Sequence, residues 1–378
     1  MEPPPVPSAN DSSRADLRMR DAIRAAADPD GFVPFDRFME LALYADDVGY
    51  YRRAVSPFGP GGDYYTAPRV HPLFGRTIGH YLASVRERLR PGPVFRIVEL
   101  GPGDGALAKE IVGSFARAED EVEYVLVERS ERLGAAALAS VEPLARARSI
   151  RVRRIEALGE LGPFEGVVIA NELLDAQPAR RYRWTGAQWN ELGVRLEGDA
   201  VRFAELTRTR PIPGPPLPQP EEPGTVMEIA PAAEALVREV ADHMVRGRAI
   251  FLDYGRDEES LWRGHPHGTL ASLQGHRFVH DPLELPGTRD LSTFVNFTRV
   301  RASARAAGLE EVGYGSQAEA LGRWGFQAAF EEALRTAGSS EDEVRLRLAA
   351  KNLLFGFEGF RVLELAILGE PLGPGRTK

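Results

Sequence analysis

Three alternating glycines after a short apolar run constrain the fold of this chain more than any other feature. The run spans residues 94–100, carries the acid Glu99 near its end, and is followed at once by Gly101, Gly103 and Gly105. Glycine lets the backbone turn at positive φ and lets a ligand approach main-chain N–H groups. The residues after Gly105 are typical of a helix, whose positive end would face the same place. The pattern predicts a strand, a cofactor-binding loop and a helix.

Two classes of nucleotide-like cofactor fit this loop. Residues 101–106 satisfy the G-x-G-x-x-G/A pattern of dinucleotide-binding enzymes, and Glu128 ends the next apolar strand, where such enzymes carry an acid for the ribose. Glu99 extends the run to E-x-G-x-G-x-G, which resembles the first motif of Rossmann-like S-adenosylmethionine methyltransferases. On these residues alone an NAD-dependent enzyme stays an alternative, as does a plain strand-to-helix turn.

The amino-acid composition limits the classes of protein to which this chain can belong. The 378 residues are 43% hydrophobic and 27% charged, as in globular proteins with more than one domain. Asp and Glu number 55 against 47 Lys and Arg, and the formal net charge of −8 argues against binding to nucleic acid or an anionic membrane. The chain has no cysteine, which excludes disulfides, thiolate metal sites and cysteine nucleophiles. Residues 1–11 lack the apolar core of a secretory signal, so we expect a cytoplasmic protein.

Apolar spacing divides the chain into segments. Residues 1–14 are typical of a flexible tail, and residues 15–92 are predicted to form an N-terminal helical cap. From residue 93 to residue 378 strand and helix patterns alternate, which predicts an α/β core with a parallel, doubly wound sheet. Insertions interrupt this core at about 179–224 and at 256–298.

The insertions and the end of the core have their own patterns. Antiparallel strands are expected in the first insertion, followed by a proline-rich loop at 210–223 that can form neither helix nor ladder. The second insertion is expected to be a long polar loop over 255–290. One core helix is predicted over 132–141, and two helices are predicted between residues 317 and 354.

Several motifs give the chain a family resemblance. They are Asn171-Glu-Leu-Leu-Asp-Ala-Gln-Pro178, Gly62-Asp-Tyr-Tyr-Thr-Ala-Pro68, the segment 98–105, Leu252-Asp-Tyr-Gly255 and Gly287-Thr-Arg-Asp-Leu-Ser292. Together, from about residue 36 to the C-terminus, they resemble the MidA-like methyltransferases, relatives of the mitochondrial complex I assembly-factor protein arginine methyltransferase. The resemblance implies a Rossmann-like seven-stranded methyltransferase sheet with an N-terminal helical cap. It also implies methyl transfer from S-adenosylmethionine to arginine of a protein substrate.

The chain departs from this family at a few positions. The family usually has Glu where this chain has Arg69, and His where it has Arg180. Arg and aromatic residues of the family are replaced here by Ala271, Leu273 and Gln274. The exchange at position 69 reverses a charge beside the predicted substrate loop, so these positions raise the question of a changed substrate or a lost activity.

The predicted cofactor site combines the loop with polar residues at the ends of strands. Its members are Glu99, Gly101, Gly103, Asp104, Gly105, Glu128 and Asn171. The methionine end of S-adenosylmethionine is expected near Glu99 and the glycines. The Glu128 carboxylate can accept two hydrogen bonds from the ribose hydroxyls. The alternative for Glu128 is a solvated acid at a strand end.

The predicted catalytic residues follow the fourth strand of the core. Asn171 and Glu172 lie at the carboxyl edge of the sheet, where doubly wound folds bind ligands. Carboxylates hold a guanidinium in a fixed plane, so Glu172, with Asp175, is the candidate clamp, and Asp253 or Asp290 is the candidate second acid. The alternative is that Glu172 only caps a helix over 173–176.

A substrate or lid loop is predicted before the core. Asp63, Tyr64, Tyr65 and Thr66 are its candidate residues, and a plain packed aromatic loop is the alternative. We expect no metal site, because the sequence has no H-E-x-x-H motif and Pro266 and Pro282 would break any helix that carried the histidines of segment 265–280. A small-molecule methyltransferase, a noncatalytic assembly or binding protein with this fold, and an NAD-dependent enzyme remain rival functions. The sequence does not predict the oligomeric state.

Overall fold

The computed structural model describes residues 9–53, 66–115, 121–206, 210–274 and 277–368. The helices in these ranges are α1 (Ala9–Ala26), α2 (Phe35–Tyr44), α3 (Ala67–Val70), α4 (Leu73–Leu89), α5 (Ala106–Ser114), α6 (Glu131–Ala147), α7 (Pro231–His243), α8 (Glu258–Gly264), α9 (Phe297–Ala306), α10 (Gln317–Arg323), α11 (Phe326–Arg335) and α12 (Ser340–Phe355). The strands are β1 (Val33–Pro34), β2 (Phe95–Leu100), β3 (Val122–Val127), β4 (Arg151–Ile155), β5 (Phe164–Asn171), β6 (Arg180–Trp184), β7 (Trp189–Glu197), β8 (Ala200–Leu206), β9 (Val226–Ile229), β10 (Met244–Arg256), β11 (Ala271–Gln274), β12 (Arg277–Phe278), β13 (Asp290–Ser292), β14 (Val295–Asn296), β15 (Glu310–Ser316) and β16 (Phe360–Leu368).

The chain divides into two compact units, each built from several segments. The core unit contains residues 65–174, 236–254 and 301–378, and the cap unit contains residues 1–64, 175–235 and 255–300. This division differs from the predicted cap of residues 15–92. Helix α4 groups with the core unit, whereas the insertions group with α1 and α2. The physical reason is that α4 buries its apolar face in the core of the sheet.

An eight-stranded sheet organises the core unit. Seven of its strands have the order β15-β16-β10-β5-β2-β3-β4, in which β16 runs opposite to the other six, and the short strand β14 pairs in parallel with the end of β10. This confirms the predicted Rossmann-like α/β sheet. From β2 the chain continues through β3 and β4 on one side and returns to β5 on the other side. The carboxyl ends of β2 and β5 therefore lie at the point where the strand order reverses, which is where doubly wound sheets bind ligands.

Helices pack on this sheet through apolar faces at helical spacing. Phe74 and Ile78 of α4, Ile111 of α5 and Leu353 of α12 are fully buried in one apolar cluster with β-strand residues such as Ile97. Burial of large side chains like these typically contributes about 1.5–3 kcal/mol each. The cluster fixes α5, and with it the loop that joins β2 to α5.

The cap unit contains two antiparallel sheets. One has the order β1-β7-β6-β9 with β8 paired to β7, and the other has the order β12-β11-β13. The first sheet confirms the inserted antiparallel strands. Arg181 on β6 is buried, pairs with Glu228 on β9 at 3.0 Å, and places its guanidinium 5.2 Å from the Phe35 ring of α2. A buried charge therefore has both a carboxylate and an aromatic face as partners.

A buried arginine binds two carbonyl groups of the proline-rich loop of the cap unit. Arg299 on α9 is only 4% exposed and donates to the carbonyl oxygens of Pro213 and Pro215 at 2.9 and 3.0 Å. Its Nε donates to Glu234 at 3.0 Å. The loop has few backbone donors of its own because proline lacks an N–H group. Two of its carbonyl groups accept hydrogen bonds from the Arg299 side chain, where a β-sheet would provide backbone N–H donors.

Three predictions about secondary structure are wrong. Helix α6 does not end before Pro143 but continues to Ala147, so a proline is accommodated inside it. The predicted polar loop over 255–290 contains α8, β11 and β12, and the region expected to hold two helices holds α10, α11 and α12.

Among the described residues, no helix combines the length and apolar character that a membrane crossing requires.

Candidate functional site

The loop between β2 and α5 has the geometry predicted for a cofactor cradle. Gly101, Gly103 and Gly105 all have positive φ, at 67°, 58° and 81°. A Cβ on Gly101 would lie 2.8 Å from the Leu173 side chain, and one on Gly105 would lie 3.0 Å from the Ala137 carbonyl oxygen. Both the backbone conformation and the space therefore require glycine at these two positions. The loop ends at the N-terminus of α5.

Glu99 lies beneath this loop. It is 3% exposed, and one carboxylate oxygen accepts a 2.7 Å hydrogen bond from the Tyr124 hydroxyl on β3. Burial raises the pKa of Glu99 to about 7; the Tyr124 hydrogen bond opposes this rise, and the charge of Asp104 adds to it. The same surroundings raise the pKa of Tyr124 well above its usual value. The buried Glu99 carboxyl thus receives its hydrogen bond from a neutral group, the Tyr124 hydroxyl.

Glu128 follows β3 directly and is half-buried. Its Oε1 accepts a 2.8 Å hydrogen bond from the Ser130 N–H, and its carbonyl oxygen accepts from the Arg154 guanidinium at 2.7 and 3.2 Å. Ser130 in turn caps α6 by accepting from the Leu133 N–H. These bonds hold the turn between β3 and α6 and place the Glu128 carboxylate at the carboxyl edge of the sheet.

Asn171 and Glu172 form a sharp turn after β5. Glu172 has φ +53°, a left-handed conformation that is unusual for a residue with a side chain. The Asn171 amide donates to the Glu172 carboxylate at 3.3 Å. The Asn171 Oδ1 is buried and, within the described residues, has no hydrogen-bond partner. No helix forms over residues 173–176, so the alternative of Glu172 as a helix cap is wrong.

Asp253 on β10, the candidate second acid, binds backbone donors. It is 1% exposed, and its Oδ2 accepts hydrogen bonds from the backbone N–H groups of Leu173 and Leu174 at 3.0 and 2.7 Å. Its Oδ1 accepts from the Tyr254 N–H at 2.8 Å. These bonds hold the turn that carries Glu172, which favours a positioning role for Asp253.

Among the remaining predicted residues, Asp175 and Thr66 are described by the structure, and three residues of the predicted lid loop are not. Asp175 belongs to the cap unit, where its carbonyl oxygen accepts from the Thr293 N–H at 3.0 Å. Thr66 precedes α3 without making a side-chain cap. Asp63, Tyr64 and Tyr65 fall outside the described residues. No cluster of three or more potential metal ligands occurs in the part of the chain that the structure describes.

The glycine loop and the turn after β5 fit S-adenosylmethionine. Gly101 and Leu173 are in close approach, so the loop and the Glu172 turn lie next to each other. The positive-φ backbone leaves room for a ligand against main-chain N–H groups, and Glu99 supplies a buried acid near a cofactor that carries positive charge. Residues 101–105, Glu99 and Glu128 would hold the cofactor.

Sequence reasoning misses Tyr124 and the partner of Arg69. Tyr124 lies inside an apolar strand, where only its hydroxyl distinguishes it from core residues. Arg69 is visible as a departure from the family, yet its partner Asp104 lies 35 residues further along the chain. Spacing within a sequence does not reveal such a distant pair.

Comparison with known proteins agrees with this geometry. A family model described as S-adenosyl-L-methionine-dependent methyltransferase matches residues 77–315. The mitochondrial protein arginine methyltransferase NDUFAF7 homolog of Drosophila melanogaster is 26% identical over 333 residues, covering 81% of this chain and 74% of the relative. The mitochondrial protein arginine methyltransferase NDUFAF7 of Mus musculus is 27% identical over 301 residues, covering 73% and 67%.

A solved structure is similar over nearly the whole chain. It is a COG1565 superfamily member from Burkholderia thailandensis bound to S-adenosyl-homocysteine, with a TM-score of 0.81, 30% identity and coverage of 97% of this chain and 96% of that chain. The predicted cytoplasmic location is contradicted, because the NDUFAF7 relatives from fly and mouse are named as mitochondrial. The absence of a secretory pattern did not distinguish these compartments. With S-adenosylmethionine as its cofactor, the chain belongs to the MidA-like family of S-adenosylmethionine-dependent methyltransferases.

Proposed function

We propose that this methyltransferase modifies an arginine side chain of a protein substrate. The observation that carries the proposal is the fixed position of Glu172, at φ +53° on a turn next to the glycine loop. Strained backbone of this kind persists where the surrounding structure determines it, and it clusters at functional sites. The names of the fly and mouse relatives, both protein arginine methyltransferases, support the same substrate.

A carboxylate at this turn suits a guanidinium. The guanidinium stays protonated in proteins and presents its N–H donors in a rigid planar fork. Glu172 would bind two of these donors, so that the positive charge concentrates on one side and the remaining nitrogen faces the methyl group. When bound, S-adenosylmethionine would supply that methyl group as an electrophile, its sulfur keeping the electron pair of the bond that breaks. Glu172 would hold the nitrogen that accepts the methyl group, and this nitrogen would then lose a proton to solvent.

Asn171 and Asp253 would give Glu172 its orientation. The Asn171 amide donates to the Glu172 carboxylate at 3.3 Å, and Asp253 binds the N–H groups of the next two residues. A carboxylate that is contacted by the Asn171 amide, on a backbone that Asp253 fixes, loses little freedom when the substrate arrives. The buried Asn171 Oδ1 would accept a hydrogen bond from the cofactor or from the substrate, because a buried acceptor without a partner is unfavourable.

The experiment is transfer of a labelled methyl group to protein. The purified enzyme is incubated with methyl-labelled S-adenosylmethionine and a protein extract, and the protein is hydrolysed to amino acids. We expect the label in methylated arginine. Label in another amino acid, label only in small molecules, or no transfer while the cofactor binds would each contradict the proposal.

The variant Glu172→Gln tests the proposed role of Glu172 in methyl transfer. It should bind S-adenosylmethionine nearly as well as the wild type and lower the transfer rate by about a hundredfold or more, since alignment acts mainly in the transition state. Glu142→Gln on the exposed face of α6 is the matched control and should keep the wild-type rate. Wild-type transfer by Glu172→Gln would remove this residue from the arginine site.

A further inference from the structure

Asp104 is the single polar side chain in the glycine loop. The loop reads Gly-Pro-Gly-Asp-Gly from residue 101 to residue 105, and Asp104 stands between two glycines with positive φ. Glycine loses more conformational freedom than any other residue when it is ordered. A loop of this composition therefore depends on contacts from outside to keep one shape before the cofactor binds.

Arg69 provides such a contact. This residue lies on α3, and its Nη2 donates a hydrogen bond to the Asp104 Oδ2 within an ion pair. Both side chains are partly buried, at 23% and 37% exposed. The other oxygen, Oδ1, faces the Ala106 N–H at 3.4 Å, in the first turn of α5. Arg69 thus connects α3 to the glycine loop through Asp104, the one polar side chain of residues 101–105.

The ion pair between Arg69 and Asp104 also affects the electrostatic surroundings of Glu99. Asp104 is one of the groups that raise the pKa of Glu99, through repulsion between two carboxylates. A guanidinium bound to Asp104 balances this negative charge. Without Arg69, a buried acid and an unbalanced acid would lie close together under the loop.

We propose that Arg69 is a positioning residue for the cofactor, holding Asp104 so that the glycine loop keeps its binding shape. The Glu that the family usually has at this position would repel Asp104. The reversed charge at position 69 is therefore matched to the cofactor loop of this chain and does not mark a lost activity. The inference concerns cofactor binding and holds whichever substrate is methylated.

Cofactor affinity of the purified full chain tests this proposal. Titration calorimetry with S-adenosylmethionine and with S-adenosylhomocysteine should show about tenfold weaker binding of both by Arg69→Gln, because a charged hydrogen bond is lost at a partly exposed site. Arg76→Gln is the matched control: it removes the 3.6 Å ion pair between α4 and Glu110 of α5, away from the loop, and should leave both affinities unchanged.

A double-mutant cycle separates positioning from general destabilisation. Asp104→Asn alone should weaken binding to a similar degree, and the double variant should be no weaker than either single variant, since one interaction is lost in all three. Exchange of the two residues, Arg69→Asp with Asp104→Arg, should recover part of the affinity. In hydrogen exchange without cofactor, the loop amides of residues 101–106 should lose protection in Arg69→Gln and keep it in Arg76→Gln.

The proposal fails if Arg69→Gln binds both ligands as the wild type does, or if the losses of the two single variants add in the double variant. It also fails if loop protection is equal in Arg69→Gln and Arg76→Gln. Should Arg69→Gln not fold, Asp104→Asn carries the same test from the other partner of the pair.

Discussion

Tyr124 donates its hydroxyl to the buried carboxylate of Glu99 at 2.7 Å, across two neighbouring strands of the core sheet. The bond connects a residue that belongs to the apolar core with the acid under the cofactor loop. Burial is the main cause that raises the pKa of Glu99 from its usual 4.5 to about 7. Between about pH 4.5 and about pH 7 the folded protein therefore keeps a proton that the unfolded chain releases.

The first prediction concerns pH and stability. Because the pKa of Glu99 is higher in the folded state, its contribution to stability is complete below about pH 4.5 and is lost as the pH rises towards about 7. The free energy of unfolding of the wild type should fall over this range relative to that of Glu99→Gln, by about 3 kcal/mol at most. Urea unfolding at several pH values measures both proteins. Parallel pH profiles would contradict the assignment to Glu99.

The variant Tyr124→Phe checks the cause of this behaviour. The hydroxyl stabilises the charged form of Glu99, so its removal should raise the pKa of Glu99 further. The pH range in which stability is lost should then extend upward. An unchanged range would mean that the hydrogen bond has no influence on the titration.

A second prediction concerns Gly105. Replacement by Ala puts a side chain at φ +81° and within 3.0 Å of the Ala137 carbonyl oxygen. The expected result is a loss of about 1–2 kcal/mol of stability, with weaker cofactor binding because the loop must shift. Thermal unfolding and cofactor titration measure the two effects. Gly322→Ala is the control, since a Cβ there meets nothing within 4 Å inside α10, and it should be neutral or stabilising.

A third prediction separates positioning from catalysis at Asp253. The variant Asp253→Asn places an amide against backbone donors that now bind a carboxylate. We expect a loss of about 1–3 kcal/mol of unfolding free energy and slower methyl transfer, because the turn that carries Glu172 loosens. The exposed α7 residue Asp242, changed to Asn, is the control. Full stability combined with lost transfer would instead favour direct contact of Asp253 with the substrate.

The fourth prediction tests Glu128 as a ribose ligand. Glu128→Gln keeps an oxygen for the Ser130 N–H, so the turn into α6 should remain intact. S-adenosylmethionine binding should weaken by about 1–2 kcal/mol, the difference between charged and neutral hydrogen bonds. Calorimetry gives the affinity and thermal unfolding gives the stability. Equal affinity would leave Glu128 as a solvated acid at a strand end.

The features that the sequence predicted well are local. The strand, loop and helix around Gly101 and Gly105 follow one another within a few residues, and their φ values are those that glycine accommodates. The largely parallel, doubly wound sheet of the core follows from the alternation of strand and helix patterns. Backbone preferences and apolar spacing were sufficient for these parts.

The features that could not be predicted depend on distant contacts. Asp253 binds the Leu174 N–H across 79 residues, and no local pattern distinguishes that role from a catalytic acid. The second insertion forms strands because β11 pairs with β12 on one side and with β13, further along the chain, on the other. Helix α6 passes Pro143 because packing of its apolar face outweighs one missing N–H bond.

The contact of Arg299 with the proline-rich loop has a consequence for how the chain can be altered. A proline-rich loop such as residues 210–223 would ordinarily be chosen as a site for inserting tags or cleavage sequences, or for circular permutation. Here the carbonyl groups of Pro213 and Pro215 are bound by a buried guanidinium that also binds Glu234. An insertion at this point would leave a buried cation without its acceptors, and the cap unit would be destabilised far from the break in the chain.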